Sequence, residues 1–321
     1  MKVGLNRREF VSSLAAFPLA AKAVLAAQDP QPSFPIIDTH IHLFDKTRPE
    51  GARYTRDMPG GGEPPQGMIA LPNRYQAITA PFGVVGAIVV EASPRLDDNQ
   101  WILDVAANAP IIVGLVGRID PADQAFGKNL DRLHMNPLFL GIRQGRLHLG
   151  LDNPDYIANL KLLADANCSL DVDTPRQGMT ATEVLVKVLD KVPSLRLVMD
   201  HMPDVRFPDR AAKDTYLTYL RELGTRPQVY IKLSEVVRKR GDRVSTDVNA
   251  YRDWLDELWS IFGEDRVMFG SDWPQSESLE FNSYPNVFGV ARAYTRSKGP
   301  SAMEKVFWKN SLKPYRWVKR L

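Results

Sequence analysis

The chain is poor in the residues that staple, span or bind nucleotides: one cysteine, five histidines, and no glycine-rich nucleotide loop. A single cysteine, Cys168, excludes an intramolecular disulfide and a zinc site built from several thiolates. It opens the apolar stretch CSL (168–170) and reads as buried filler rather than a nucleophile. No block of like charge stands out, since 41 Lys and Arg meet 38 Asp and Glu for a net charge of +3. Nucleic acid is therefore not implied as a partner. The missing G-x-G-x-x-G turn removes the usual mark of a doubly wound, dinucleotide-binding sheet. What remains is an ordinary globular composition, 44% hydrophobic and 25% charged over 321 residues.

Near the N-terminus, Arg7 and Arg8 precede an alanine-rich segment interrupted by Ser12, Ser13, Pro18 and Lys22. That segment is too short and too broken for a stable membrane anchor. Its R-R-x-F order resembles a twin-arginine export signal. The expectation is recognition by the twin-arginine export machinery, cleavage within 23–28 and a periplasmic, folded protein; an unused signal leaves it cytoplasmic. Residues 1–30 are then signal and linker, and 31–321 one domain.

From residue 36 onward, short β-branched or apolar runs alternate with amphipathic helical stretches. Strand candidates cover 36–42, 86–92, 111–118, 140–146, 168–173, 195–201, 228–234 and 266–272. Between them, stretches such as ATEVLVKVLDKV carry apolar residues three and four apart, as one buried stripe requires. Eight strands, each followed by a helix, predict an α/β fold: a parallel (β/α)8 barrel of the TIM type with extra C-terminal helices over 284–317 packed outside it. One connection is unusual. Residues 43–71 lack periodicity and include DMPGGGEPPQG (57–67), which reads as a lid over the site.

The stretch IIDTHIHLFD (36–45) holds two of the five histidines. Side chains alternate along a strand, so His40 and His42 share a face and Ile41 takes the other. The apolar Ile41 suits the helix layer, leaving both imidazoles in the barrel lumen near the strand's C-terminal end, where catalytic groups of such barrels collect. LRLVMDHMP ends the sixth candidate strand with His201, and RVMFGSDWP ends the eighth with Asp272. A charged group closing an apolar strand is costly unless paired or ligating something. These groups would converge on one mouth.

D-T-H-I-H, D-H and G-S-D-W-P, together with G-I-R (141–143), K-L-S (232–234) and N-S-L-K-P-Y (310–315), resemble the amidohydrolase superfamily. More narrowly they resemble its amidohydrolase-related branch, which includes sugar lactonases and 2-pyrone-4,6-dicarboxylate lactonase. The resemblance implies a ligand pair at His40 and His42, a general base at Asp272, and a metal-binding or carbonyl-polarising histidine at His201. The fifth strand, CSLDVD, has no histidine, and GIRQGR offers no bridging lysine or glutamate, so a binuclear centre is not expected. A single divalent ion, zinc first, held by His40, His42 and Asp272 with His201 nearby is one expectation. The branch also includes a metal-independent member, so a metal-free site stays open.

In either case hydrolysis needs a nucleophilic water, a base and positive charge where the oxyanion develops. Asp272 is expected to stay ionised among cationic or metal-bound neighbours. Without metal, histidines and arginines would supply the positive charge. Arg143 and Arg146 at the fourth strand's end suit a substrate carboxylate or vicinal hydroxyls, and Lys232, Glu91 and Asp173 are further substrate-binding candidates. Trp273 is expected to pack against the mouth, and His134 and His148 to lie on the surface. The expected activity is opening of a lactone of a sugar acid or small carboxylic acid, with a small molecule as partner. The alternatives are a metal-dependent decarboxylase on the same barrel and an inactive periplasmic binding protein.

Overall fold

The apolar runs form the parallel strands that their spacing predicts. The computed structural model describes residues 33–45, 47–48, 69–145, 147, 150–174, 180–201, 207–240, 243–277 and 283–320. The export segment, Arg146, His148 and most of the expected lid (46 and 49–68) lie outside the described residues. Residues Ser33–Leu321 form one compact unit. The barrel strands are β1 (Ile36–Ile41), β2 (Val84–Val90), β3 (Ile112–Gly117), β4 (Phe139–Gln144), β5 (Ser169–Asp173), β6 (Arg196–Asp200), β7 (Val229–Leu233) and β10 (Val267–Phe269). They lie side by side in that order, all parallel. Two antiparallel two-residue strands, β8 (Lys239–Arg240) and β9 (Arg243–Val244), follow β7 outside the sheet.

Among the described residues, a helix follows each barrel strand: α1 (Pro72–Thr79), α2 (Asp97–Ala107), α3 (Phe126–His134), α4 (Pro154–Asp165), α5 (Ala181–Lys191), α6 (Arg210–Thr225), α7 (Arg252–Phe262) and α8 (Tyr284–Ser297). Their starts follow local chemistry. Asn153 caps α4 by accepting from Asp155 N, with Pro154 in the first turn, and Asp209 caps α6 by accepting from Ala212 N. Two shorter helices, α9 (Pro300–Phe307) and α10 (Leu312–Tyr315), complete the chain.

β1 closes the ring against the chain beyond β10. Asp272 N donates to His40 O (2.8 Å), His42 N to Trp273 O (2.7 Å), and Thr39 Oγ1 to Phe269 O (2.7 Å). Gly270 is needed at this seam, because a Cβ there would come within 2.7 Å of the His40 Cβ. The expected eighth strand, 266–272, is observed only over three residues. Its last part leaves the ladder as Asp272 enters the left-handed region at φ 59°.

The tail goes further than expected. Helices α8 and α9 pack outside the barrel, but Tyr315 and Trp317 join Ile37, Val198, Tyr230 and Met268 in an apolar cluster within it. The Tyr315 hydroxyl donates to Asp171 Oδ2 at 2.5 Å, while Arg320 Nη1 donates to Ala106 O (2.6 Å) and Ile112 O (2.9 Å). The chain's end thus plugs the face opposite the predicted site.

Candidate active site

Strict alternation along β1 would send Asp38 the same way as His40. A register shift between Asp38 and Ile41 breaks the alternation. Asp38 instead reaches the outer helices, accepting from Tyr75 (2.9 Å) and Tyr284 (3.4 Å), and also accepts from Ser271 N (2.8 Å). It anchors the seam, while His40 and His42 turn inward. Their rings meet edge to face, 4.9 Å between centroids, and His40 lies 4.6 Å from the ring of His201.

His201 and Asp272 arrive there through unusual backbone. Both occupy the left-handed region, at φ 64° and 59°, as does Glu235 after β7 at φ 50°. Non-glycine residues adopt it rarely, and such strain collects at functional sites. In β6 it lets consecutive side chains, Asp200 and His201, both take part in the buried cluster.

Asp272 Oδ1 is 3.1 Å from His42 Nε2 and 3.5 Å from His40 Nε2. His42 Nδ1 donates to Val90 O at 2.9 Å, so its Nε2 is the unprotonated nitrogen that meets Asp272 Oδ1. Arg143 Nη2 donates to His201 Nε2 (3.3 Å), so His201 carries its proton on Nδ1, toward Ser234 Oγ at 3.1 Å. His40 Nδ1 lies 3.3 Å from both Asp200 Oδ1 and Lys232 Nζ. Its Nε2 is buried without a hydrogen-bond partner. When Nδ1–H points at the Asp200 carboxylate, that Nε2 presents a lone pair to the pocket, the arrangement common behind metal-binding histidines.

Beneath the imidazoles lies a buried ionic layer. Lys232, fully buried, contacts Asp171 Oδ2 and Asp200 Oδ1, both at 2.8 Å. Lys232 was expected to touch substrate. Instead its ammonium is sequestered under His40, where it positions the ring. Arg143 donates from Nε to Asp200 Oδ2 (2.7 Å) and lies 3.3 Å from Asp173 Oδ2. Asp173 therefore steadies Arg143. Glu91 lies toward β3, 3.9 Å from Arg118 Nη1. Trp273 is buried, stacks near Tyr75 and donates to Glu277, a packing role. His134 is exposed at the end of α3, and Cys168 is buried beside it, 3.5 Å from its Nδ1. Asp200, Ser234, Glu235 and Tyr315 were not among the candidates. Asp200 and Ser234 were visible as strand-end neighbours of His201 and Lys232, whereas nothing marked Tyr315.

Electrostatics separates the groups. Burial pushes His42 down to about 4, with Arg143 adding to it, and holds His40 and His201 well below the ordinary imidazole range. All three rings are neutral at pH 7, the ligating form. Burial works against charge on Asp200 too, yet the cations Lys232 and Arg143, with a hydrogen bond from His40, outweigh it and keep that carboxylate ionised. Burial drives Asp272 up to about 8 against the pull of Arg143, with Asp173 and Asp200 pushing the same way. The expectation of an ionised Asp272 thus fails without added positive charge. Neutral imidazoles cannot supply it, and Arg143 and Lys232 are held by other carboxylates.

A divalent cation fits this deficit. Among the described residues, His40, His201 and Asp272 offer ligand atoms all within 4.8 Å of one another, and His42 abuts the set through Asp272. The unpartnered Nε2 of His40 faces the same space.

The family model described as amidohydrolase matches residues 37–317. The chain belongs to the amidohydrolase family. It is a hydrolase, built on that family's barrel. An L-fucono-1,5-lactonase of Burkholderia ambifaria is 28% identical over 295 residues, 87% of this chain and 95% of the relative. An L-rhamnono-gamma-lactonase of Scheffersomyces stipitis is 23% identical over 225 residues, 64% of this chain and 67% of the relative. A crystal structure of an amidohydrolase from Burkholderia multivorans with bound zinc superposes with a TM-score of 0.74 at 22% identity, covering 88% of this amidohydrolase and 100% of that chain.

Proposed function

We propose that the enzyme opens the ring ester of a sugar acid or small carboxylic acid lactone, with Asp272 as general base. The observation that carries this reading is the approach of the Asp272 carboxyl to the Nε2 atoms of His40 and His42, 3.5 and 3.1 Å, at a barrel mouth. Kinship with lactonases supports the substrate class. His40, His42 and Asp272 would hold one divalent ion, zinc first, and His201 would join them by exchanging the Arg143 hydrogen bond at its Nε2 for the ion. Such a cation supplies Lewis acidity toward a carbonyl and keeps Asp272 ionised.

Asp272 takes the proton of the attacking water as the water oxygen bonds to the lactone carbonyl carbon. Arg143, steadied by Asp173 and Asp200, places a guanidinium near the developing oxyanion. The ring C–O bond then breaks, and Asp272 returns its proton to the departing alkoxide. Lys232 and Asp200 fix His40 throughout. The decarboxylase reading is weaker, because the family resemblance implies a fifth-strand histidine in that branch, where β5 presents Asp171 and Asp173. The test is metal analysis of purified protein together with a lactone panel, with and without chelator. Ring opening that chelator removes and zinc restores is expected; no lactone opened under any metal would overturn the proposal.

A further inference from the structure

Asp200 holds His40 from beneath, and behind it stands a second buried carboxylate, Asp171, that the reaction does not use. Asp171 is fully buried in the middle of β5. Three donors from separate parts of the chain converge on it. Lys232 Nζ of β7 (2.8 Å) and the Tyr315 hydroxyl of α10 (2.5 Å) meet its Oδ2, and the Ser169 hydroxyl (3.0 Å) meets its Oδ1. A carboxylate is costly to bury unless it is paired. Burial raises Asp171 to about 6 against the pull of Lys232, so it is ionised at pH 8.

Its cationic partner stands at a fork. Lys232 Nζ is 2.8 Å from Asp171 Oδ2 and from Asp200 Oδ1, and 3.3 Å from His40 Nδ1. Arg143 Nε occupies Asp200 Oδ2 at 2.7 Å, so Lys232 and His40 compete for Oδ1, which lies 3.3 Å from His40 Nδ1. That ring nitrogen thus faces a donor and an acceptor at equal distance, and a neutral imidazole can answer either. Accepting from the ammonium puts the ring proton on Nε2 and closes that atom to a cation. Donating to Asp200 leaves Nε2 with its lone pair. Distance does not choose between the two; charge does. With Asp171 ionised, one carboxylate balances the ammonium and Asp200 keeps its Oδ1 for His40. With Asp171 neutral, Lys232 would lean on Asp200 and His40 alone, and both contacts favour the proton on Nε2.

We infer that Asp171 is a positioning residue: by balancing Lys232 it leaves Asp200 to fix His40 with its proton on Nδ1, and so opens His40 Nε2 to a divalent cation. The inference rests on the cation reading of the pocket for its consequence, and on the buried ionic layer alone for the placement of the His40 proton.

The experiment compares wild type, Asp171→Asn, and the double variant Asp171→Asn with Lys232→Met, all at pH 8. Zinc affinity is read by competition with a chromophoric chelator. The His40 tautomer is read from proton–nitrogen correlation spectra of the imidazoles in zinc-free protein, assigned by the signals lost in His40→Ala. Asp171→Asn is expected to weaken zinc binding at least about tenfold, the scale for a group behind a metal ligand, and to move the ring proton to Nε2. The double variant removes the ammonium as well, and should recover most of the affinity and the proton on Nδ1. A merely structural Asp171 would give no recovery, because a second buried substitution would add to the damage. Unchanged affinity and spectrum in Asp171→Asn, or a double variant that binds zinc no better than it, would overturn the inference. The wild-type spectrum decides even if a variant does not fold, since a proton already on Nε2 would sink the idea. If wild type takes up no zinc, the cation reading fails and the spectra alone judge Asp171. A shift to Nε2 in Asp171→Asn that the double variant reverses would uphold its role; an unmoved proton would end it.

Discussion

Asp272 and two imidazole nitrogens within 3.5 Å would repel if each offered only lone pairs, so a proton or a cation must lie among them. This makes Asp272 the most informative single substitution. Asp272→Asn keeps the shape and removes the proton acceptor; turnover of whichever lactone is opened should fall at least about a hundredfold. Unchanged steady-state rates with zinc supplied would take the base away from Asp272. Lys232 lends itself to a stability measurement. Lys232→Met strips Asp171 and Asp200 of a shared buried cation, which should cost about 3–5 kcal/mol in denaturant unfolding. Cys168 should behave as filler. Burial raises its thiol to about 11, and only the thiolate reacts, so the native protein should resist thiol reagents at pH 8. The sign is that of an acid kept neutral by folding: the neutral thiol favours the fold below pH 9, and that advantage is lost as pH rises through 11. Rapid native-state labelling at pH 8 would contradict this.

At the scale of elements, apolar runs broken by turn residues were enough to place eight strands and their helices. Alternation also put His40 and His42 inward with Ile41 outward, because a β-strand has a two-residue period and the core sorts it. Alternation could not show where the period breaks. The shift in β1 sends Asp38 to Tyr75 and Tyr284, and left-handed turns at His201, Glu235 and Asp272 re-aim three strand ends. Such breaks depend on what the rest of the fold enforces, so local sequence does not encode them. Long-range pairs were equally hidden. Asp171 lies mid-strand in β5, and its partners are Lys232 and Tyr315, 61 and 144 positions away. Tyr315→Phe tests the terminal plug. It leaves the apolar contacts and removes one donor from a buried carboxylate, so unfolding should become easier by about 1–3 kcal/mol with the helical signal intact. No loss of stability would make that hydroxyl incidental.

Across the whole molecule, one structural theme joins the parts: the first and last barrel strands meet so that groups 230 positions apart share a pocket. That seam gathers three neutral imidazoles and a carboxyl driven to about 8, a set short of positive charge. A divalent cation taken up there binds the folded chain and not the dispersed ligands of the unfolded one, so it must stabilise the fold. At free zinc about a hundred times its dissociation constant, the gain is about 2.7 kcal/mol. For a domain of this size that is a rise in Tm of several degrees. Differential scanning calorimetry of chelator-treated protein, with zinc titrated back, measures it without any substrate. His40→Ala removes an Nε2 that has no other partner in the pocket, and Asp272→Asn removes the anionic ligand; both should abolish the zinc-dependent rise. Arg118→Met, outside the ligand set, should leave it in place. A Tm indifferent to zinc in the wild type, or a rise that survives both ligand substitutions, would move the cation elsewhere and leave Asp272 to act on water without it.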